Sequence, residues 1–389
     1  MSGSENARQA VRRRIVLAAG GTGGHLFPAQ SVAARLVSRG ASVRLVTDAR
    51  GEGWGSRFAG AEVDVVPSGT PAGGGVMHKA KAGLRIAQGV FAARRLLRAA
   101  RPDLVVGFGG YPSLPPMLAA VSLGMPTLIH EQNAVLGRAN RLLAPRVGTI
   151  AGSFPVTERL RPADAPRLVT TGNPVREAII ALRGLPYVTP NGSGPVRLLV
   201  LGGSQGARVM SDVVPAALAR LTPALRTRLR VTQQCRQEDL ARVTEAYAQA
   251  GIPAELAAFI EDVPQQLGAA HLVIARSGAS TVCELLAAGR PAILVPYPHA
   301  ADDHQAANAR AMVAAGGAWL MEEGRFSPQN LAEGLCALTS DPQSLADMAA
   351  AARDAGRPDA ADLLADLILA RAEAAALPAA SRTMLQVAA

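Results

Sequence analysis

The sequence predicts an α/β protein of two doubly wound domains whose parallel sheets face each other across a cleft. Three observations carry this. Short apolar runs bounded by glycine alternate with helical periodicities along nearly the whole chain, the mark of parallel strands covered on both faces. A strand, a glycine-rich turn and a helix follow one another twice, opening at 15–25 and again at 197–206. A length of 389 residues exceeds one typical core and suits two.

In the first half, 15–19, 43–47, 63–66, 104–107, 127–130 and 149–151 read as strands, with helical patterns between them at 29–38 and 86–100. The uncharged stretch 108–129 is broken by prolines and glycines into loop and helix rather than a membrane span. In the second half, strands are expected at 197–201, 229–232, 254–258, 272–275 and 292–295. TGNPVR at 171–176 and a Pro/Gly-rich stretch at 186–195 separate the halves. The expected units are a first domain over 12–175 and a second over 176–355. A helix over 356–376 could pack on either half, with return to the first domain as the expectation, and 377–389 reads as a flexible tail.

Composition narrows the partners. Aromatics are only 3%, too few for the stacking platforms of a single-stranded nucleic-acid binder. The net charge of +10 favours anionic partners. No acid occurs between Asp64 and Asp103, whereas Lys79, Lys81, Arg85, Arg94, Arg95, Arg98 and Arg101 lie there among Val76, Met77, Leu84 and Phe91. Such a stretch is either a solvated helix with a buried stripe or a basic, partly apolar surface for anionic lipid. Three scattered cysteines imply reduced thiols. The N-terminus runs into a strand without a signal-peptide pattern, so a soluble or peripheral protein is expected.

In open parallel sheets, ligands bind beyond the carboxyl ends of the strands. The turns at 20–25 and 202–206 lie there, and such turns expose N–H groups and positive helix ends to an anion. Neither is a dinucleotide fingerprint or a P-loop. Asp48, ending the second strand, keeps a nicotinamide enzyme open as an alternative. His25 closes the first turn and suits either a general base or a helix-capping hydrogen bond. Glu131, in the polar segment 130–133, could be a base, orient His25 or belong to a structural network. Glu284 could hold vicinal ribose hydroxyls or be an ordinary first-turn acid. Asp302, Asp303 and His304 could in principle bind a metal, although consecutive positions point in different directions.

Seven ordered segments then converge. GGTGGHLFPA at 20–29, FGGYPS at 108–113, HEQNAVLGRAN at 130–140, TGNPVR at 171–176, GGSQGA at 202–207, RSGASTVCE at 276–284 and DDHQAANA at 302–309 resemble the MurG family. These bacterial transferases add N-acetylglucosamine to lipid I to make lipid II. The resemblance spans roughly residues 14–355 and implies a GT-B fold. It assigns the acceptor mainly to the first domain and UDP-N-acetylglucosamine mainly to the second.

By motif position, Thr22, Gly23, Gly24 and Asn133 would contact the donor, and Arg176 and Ser204 the nucleotide diphosphate. Ile260 would frame the uracil with backbone contacts. Ala279, Ser280, Thr281, Val282, Cys283 and Glu284 would hold phosphates and ribose. Gln305 would read the sugar hydroxyls, while His304 stands where the family pattern has a first glutamine. The implied reaction is inverting transfer to the MurNAc C4 hydroxyl, with His25 or Glu131 as base and no metal cofactor. The nearest rival is a related UDP-sugar transferase with a soluble acceptor. The implied location is peripheral, on the cytoplasmic face of the inner membrane, among cell-wall synthesis and division proteins, with no nucleic acid partner.

Overall fold

A computed structural model describes residues 12–21, 23–51, 53, 57–71, 75–203 and 206–376. The first sheet is seven-stranded, in the order β3-β2-β1-β4-β5-β6-β7. Its strands are β1 (Arg14–Ala18), β2 (Ser42–Thr47), β3 (Ala61–Val65), β4 (Leu104–Gly107), β5 (Thr127–Glu131), β6 (Thr149–Gly152) and β7 (Leu168–Thr170). The second is six-stranded, in the order β10-β9-β8-β11-β12-β13. It comprises β8 (Val196–Leu201), β9 (Leu229–Gln234), β10 (Ala254–Ala257), β11 (Leu272–Ala275), β12 (Ala292–Leu294) and β13 (Ala318–Leu320). Every pairing between these strands is parallel.

Helices α1 (Gly23–Ser38), α2 (Val76–Ala100), α3 (Gly110–Ser122) and α4 (Arg138–Leu143) belong to the first unit. The short α5 (Glu177–Ile180) follows the crossing segment. Then come α6 (Arg208–Ala219), α7 (Pro223–Arg226), α8 (Leu240–Ala250), α9 (Val263–Ala269), α10 (Ala279–Ala288), α11 (His304–Ala314), α12 (Pro328–Ser340) and α13 (Pro342–Ala355). The last helix is α14 (Ala360–Ala376).

The sheet orders reverse at β1/β4 and at β8/β11, so each domain has its switch point where a glycine turn leaves the central strand. Apolar burial holds the layers. Leu26, Ala29, Ala33 and Leu36 recur at helical spacing on the inner side of α1 and are at most 2% exposed. Leu364, Ala365 and Ile368 of α14 complete the same core cluster, so the C-terminal helix packs on the first domain. Arg39 reinforces this docking through Asp362 and Asp366, each at 2.6 Å.

The chain crosses between domains twice, and the two crossings touch. Gly172 has φ +86°, and a Cβ there would meet Ala360 and Arg357 at 2.9 Å, so glycine is required by conformation and by space.

Two sequence readings change, and a third holds. β7 and β13 were not expected; each is a three-residue edge strand, too short to show a pattern. α2 begins ten residues before the expected helix, because its first turns carry too little buried apolar surface to show a stripe. The stretch 108–129 is loop and helix, as expected: α3 accommodates Pro112 in its first turn, where a missing N–H costs no helical bond.

Candidate active site

The first glycine turn leads directly into α1, so His25 sits in that helix's first turn, at the carboxyl end of β1. It is half-buried, and its Nδ1 lies 3.0 Å from Gln132 Oε1. The turn before α3 closes over the ring. Gly109 and Gly110 have φ +78° and +69°, and a Cβ on Gly110 would lie 3.1 Å from His25 Nε2. A side chain at Gly110 would crowd the imidazole. Thr22, beside His25 in sequence, lies outside the described residues, as does Ser204 of the second turn.

Glu131 is 2% exposed and its carboxylate is fully engaged. Oε1 accepts from the Asn133 N–H at 3.0 Å and from Asn133 Nδ2 at 3.2 Å. Oε2 accepts from the Gly137 N–H and from Asn140 Nδ2, both at 2.8 Å. Of the three roles left open for Glu131, these bonds fit the structural network: Glu131 ties down the 131–140 loop, and Gln132, not Glu131, contacts His25. With both oxygens occupied by donors, Glu131 is also poorly arranged to be the base.

That loop carries the contact between domains. Asn308 of α11 is fully buried; its Oδ1 accepts from the Ala134 N–H at 2.8 Å. Its Nδ2 donates to Asn133 Oδ1 and to the Ser277 carbonyl, each at 3.1 Å. One side chain thus joins the loop after β5 to the loop after β11. A cavity of about 260 Å³ opens beside it, lined by His25, Tyr111 and Asn133 on one side and by Ala301, Asp302 and His304 on the other.

Asp302 does not resemble a metal ligand. Burial alone would raise its carboxyl, but Arg141, Arg159 and Arg138 outweigh this and hold it below the usual carboxylate range. Arg141 reaches it at 2.5 Å and Arg159 at 2.6 Å, which makes a second polar tie across the domains. Asp48, the residue behind the nicotinamide alternative, is held by Arg50 at 2.9 Å and Ser68 at 3.1 Å. Among the described residues, no group of three or more His, Cys, Asp or Glu side chains is arranged to hold a metal ion.

In the second domain, Gly278 precedes α10, whose first-turn N–H groups face away from their own helix. Glu284, one turn onward, is paired with Arg176 at 2.8 and 2.9 Å. The expected nucleotide-contacting pair is therefore in mutual contact, and a bound nucleotide would have to share or replace this bidentate bond. The Arg176 guanidinium also lies 5.8 Å from the Phe27 ring centre, two residues beyond His25. Phe27, Arg176 and Glu284 together bridge α1 and α10.

The run 279–284 divides by direction. Ser280, Thr281 and Glu284 are half-buried, whereas Ala279 is 8% exposed, Val282 0% and Cys283 9%, facing the core. Burial pushes the Cys283 thiol up to about 12, so it is inert. The side chains of these three residues face the core, so any ligand contact they make is through the backbone. Ile260, expected to act through its backbone, is 9% exposed and has its side chain packed in the core. Gln305 is half-buried, with its Oε1 accepting from the Tyr297 N–H at 3.0 Å. Gln132 had no assigned role in the sequence reading, and Asp302 and Asn308 were not expected to tie the two domains together. Asn308 and Gln132 lay inside recognised motifs, and a buried amide following a strand was the one available signal.

Comparison with known proteins follows this geometry. The family model for the Glycosyltransferase family 28 N-terminal domain matches residues 15–151, and that for its C-terminal domain matches 197–364. The chain is 54% identical over 355 residues to the UDP-N-acetylglucosamine–N-acetylmuramyl-(pentapeptide) pyrophosphoryl-undecaprenol N-acetylglucosamine transferase of Paramagnetospirillum magneticum, covering 91% of this chain and 96% of that one. The same-named protein of Rhodospirillum rubrum is 54% identical over 359 residues, covering 92% of each. Among solved structures, Acinetobacter baumannii MurG superposes with a TM-score of 0.75 at 32% identity, covering 92% of this chain and 99% of that one. A UDP-GlcNAc 2-epimerase from Neisseria meningitidis, at 13% identity and a TM-score of 0.62 over 92% of this chain and 99% of that one, shares the fold alone.

Proposed function

The chain belongs to the family of UDP-N-acetylglucosamine–N-acetylmuramyl-(pentapeptide) pyrophosphoryl-undecaprenol N-acetylglucosamine transferases, and on that premise we propose how its cleft performs the transfer. The protein moves N-acetylglucosamine from UDP-GlcNAc to lipid I, forming lipid II. The observation that carries the mechanistic reading is the bridge from His25's helix to α10 through Phe27, Arg176 and Glu284.

The MurNAc C4 oxygen attacks the anomeric carbon of the donor. As that bond forms, the bond from the anomeric carbon to the diphosphate oxygen breaks, and its electron pair leaves with UDP. The C4 hydroxyl proton passes to His25, and the linkage inverts to β-(1→4). A positioned base contributes about 10²–10⁴-fold. Arg176 and the N-terminus of α10 would meet the charge that develops on the diphosphate, without a metal cofactor. Glu284 would take the ribose hydroxyls, and Gln305 the sugar.

We assign the acceptor to the first domain. A cavity of about 1010 Å³ lined by Arg50, His78, Lys81 and Arg85 lies between the ends of β2 and β3 and helix α2. Its basic walls suit the acceptor's pyrophosphate. Among the described residues no helix is long and apolar enough to cross a membrane. We assign attachment to α2, on the cytoplasmic face, where its exposed basic and apolar side chains would meet anionic lipid. Cell-wall synthesis and division proteins are the expected neighbours there.

The test is transfer from labelled UDP-GlcNAc to a short-chain lipid I analogue, in parallel with soluble sugar acceptors. Label entering only the lipid I analogue is the expected result. Transfer to a soluble acceptor with none to the analogue would favour the rival reading. Unchanged turnover in EDTA is expected, and its abolition would overturn the metal-free mechanism.

A further inference from the structure

The imidazole of His25 has two nitrogens, and only one can accept a proton from the acceptor. Which one is free depends on the bond made by the other. Gln132 decides this through its own surroundings. Its Nε2 donates to the Phe108 carbonyl at 2.9 Å, and a carbonyl can only accept. The same Nε2 lies 3.0 Å from His130 Nδ1. Reversing the amide would set two oxygens against each other at Phe108, so its orientation is fixed.

His130 supports that arrangement. It is fully buried, and desolvation lowers it to about 4, so it is neutral at physiological pH. Its Nε2–H donates to the Gly172 carbonyl at 3.1 Å, which leaves Nδ1 as an acceptor for Gln132. The chain of donors therefore runs one way, and Gln132 Oε1 stands opposite His25 Nδ1 as a pure acceptor at 3.0 Å. On the other side of the ring, no hydrogen-bond partner occupies His25 Nε2 among the described residues.

We propose that Gln132 is a positioning residue for transfer: it holds His25 as the Nδ1–H tautomer and turns Nε2, with its lone pair, toward the acceptor hydroxyl. The backbone at Gly172, where the chain crosses between domains, anchors this relay. An amide differs here from the carboxylate that often holds a catalytic histidine. It fixes the ring without adding a negative charge that would favour the imidazolium before substrate arrives.

This inference rests on His25 being the base, and two readouts keep the two claims apart. Side-chain ¹⁵N NMR of the wild-type protein, above the titration of the imidazole, should show His25 protonated at Nδ1 and bare at Nε2. Gln132→Met, which fills similar volume without an acceptor, should release that tautomer and lower kcat about a hundredfold. KM for UDP-GlcNAc and the affinity for UDP should stay within twofold. A wild-type spectrum with Nε2–H would overturn the proposal even if the variant failed to fold, and so would a folded variant with wild-type kcat. Normal turnover in His25→Ala would instead remove the base, whatever the tautomer.

Discussion

The two domains use the same topological slot for opposite ends. Between the outermost strand and the strand beyond the switch point, the first domain inserts α2, a helix of 25 residues, and the second inserts α9, a helix of 7. On α2, Val76 is 86% exposed, Met77 84%, Leu84 62% and Phe91 66%, and the helix contains no acid. Only Ala82, Gly89, Ala93 and Leu97 are buried. On α9 no side chain is charged, none of the large exposed hydrophobics occurs, and Leu267 is buried. Closing a crossover needs no more than α9 provides. The additional length of α2 is surface, and surface that retains both apolar and basic side chains fits an interaction rather than packing.

The same asymmetry holds within the site. The first glycine turn leads to a titratable side chain held by a neutral amide. The loop after β11 leads instead to a helix N-terminus and a carboxylate paired with an arginine. One side is suited to taking a proton, the other to binding an anion and a sugar nucleotide.

The largest expected effect breaks this contrast at its chemical end. His25→Ala should lower turnover by about 10²–10⁴-fold while leaving UDP affinity nearly intact, measured by steady-state kinetics beside calorimetry. Near-wild-type turnover would remove His25 as the base. Next comes the membrane end. Replacing Lys79, Lys81 and Arg85 together by Gln removes three exposed charges, each worth about 1 kcal/mol at an anionic surface. Binding to vesicles containing anionic lipid should fall about a hundredfold, and the loss should shrink as salt rises. Equal binding would move the docking face elsewhere.

Glu284→Ala sharpens the donor side. Hydrogen bonds to a charged group contribute about 1.5–3 kcal/mol, so UDP affinity should drop by roughly tenfold or more. The smallest effect tests whether α2 is surface at all. Phe91→Ser should change stability by no more than about 0.5 kcal/mol in a denaturant titration. Leu97→Ala, at a fully buried position, should cost about 2–5 kcal/mol. A large loss from Phe91→Ser would mean that the face is packed.

Much of this was legible in the sequence because parallel strands buried on both faces leave continuous apolar runs. Eleven of the strands stand within a few residues of where the runs lay, and both glycine turns lie at switch points. The two edge strands did not register, since three residues carry no period. Within the site, residue types were legible and partners were not. Glu131 and Gln132 are neighbours on a segment where successive side chains point opposite ways, and sequence offers no means to say which faces His25. Arg176 and Glu284 were both assigned to the nucleotide, yet 108 residues of separation hid their pairing. Val282 and Cys283 entered the site by motif position, and only helical direction shows that their side chains face inward.

The central claim is that one cleft brings the donor sugar to His25. A crystal structure of the protein with UDP-GlcNAc tests it most directly. The account predicts the ribose on Glu284, with Arg176 turned from its carboxylate toward the diphosphate. The anomeric carbon should lie in the cavity between His25 and His304. A nucleotide bound elsewhere, with the Arg176–Glu284 pair untouched and the sugar remote from His25, would contradict it.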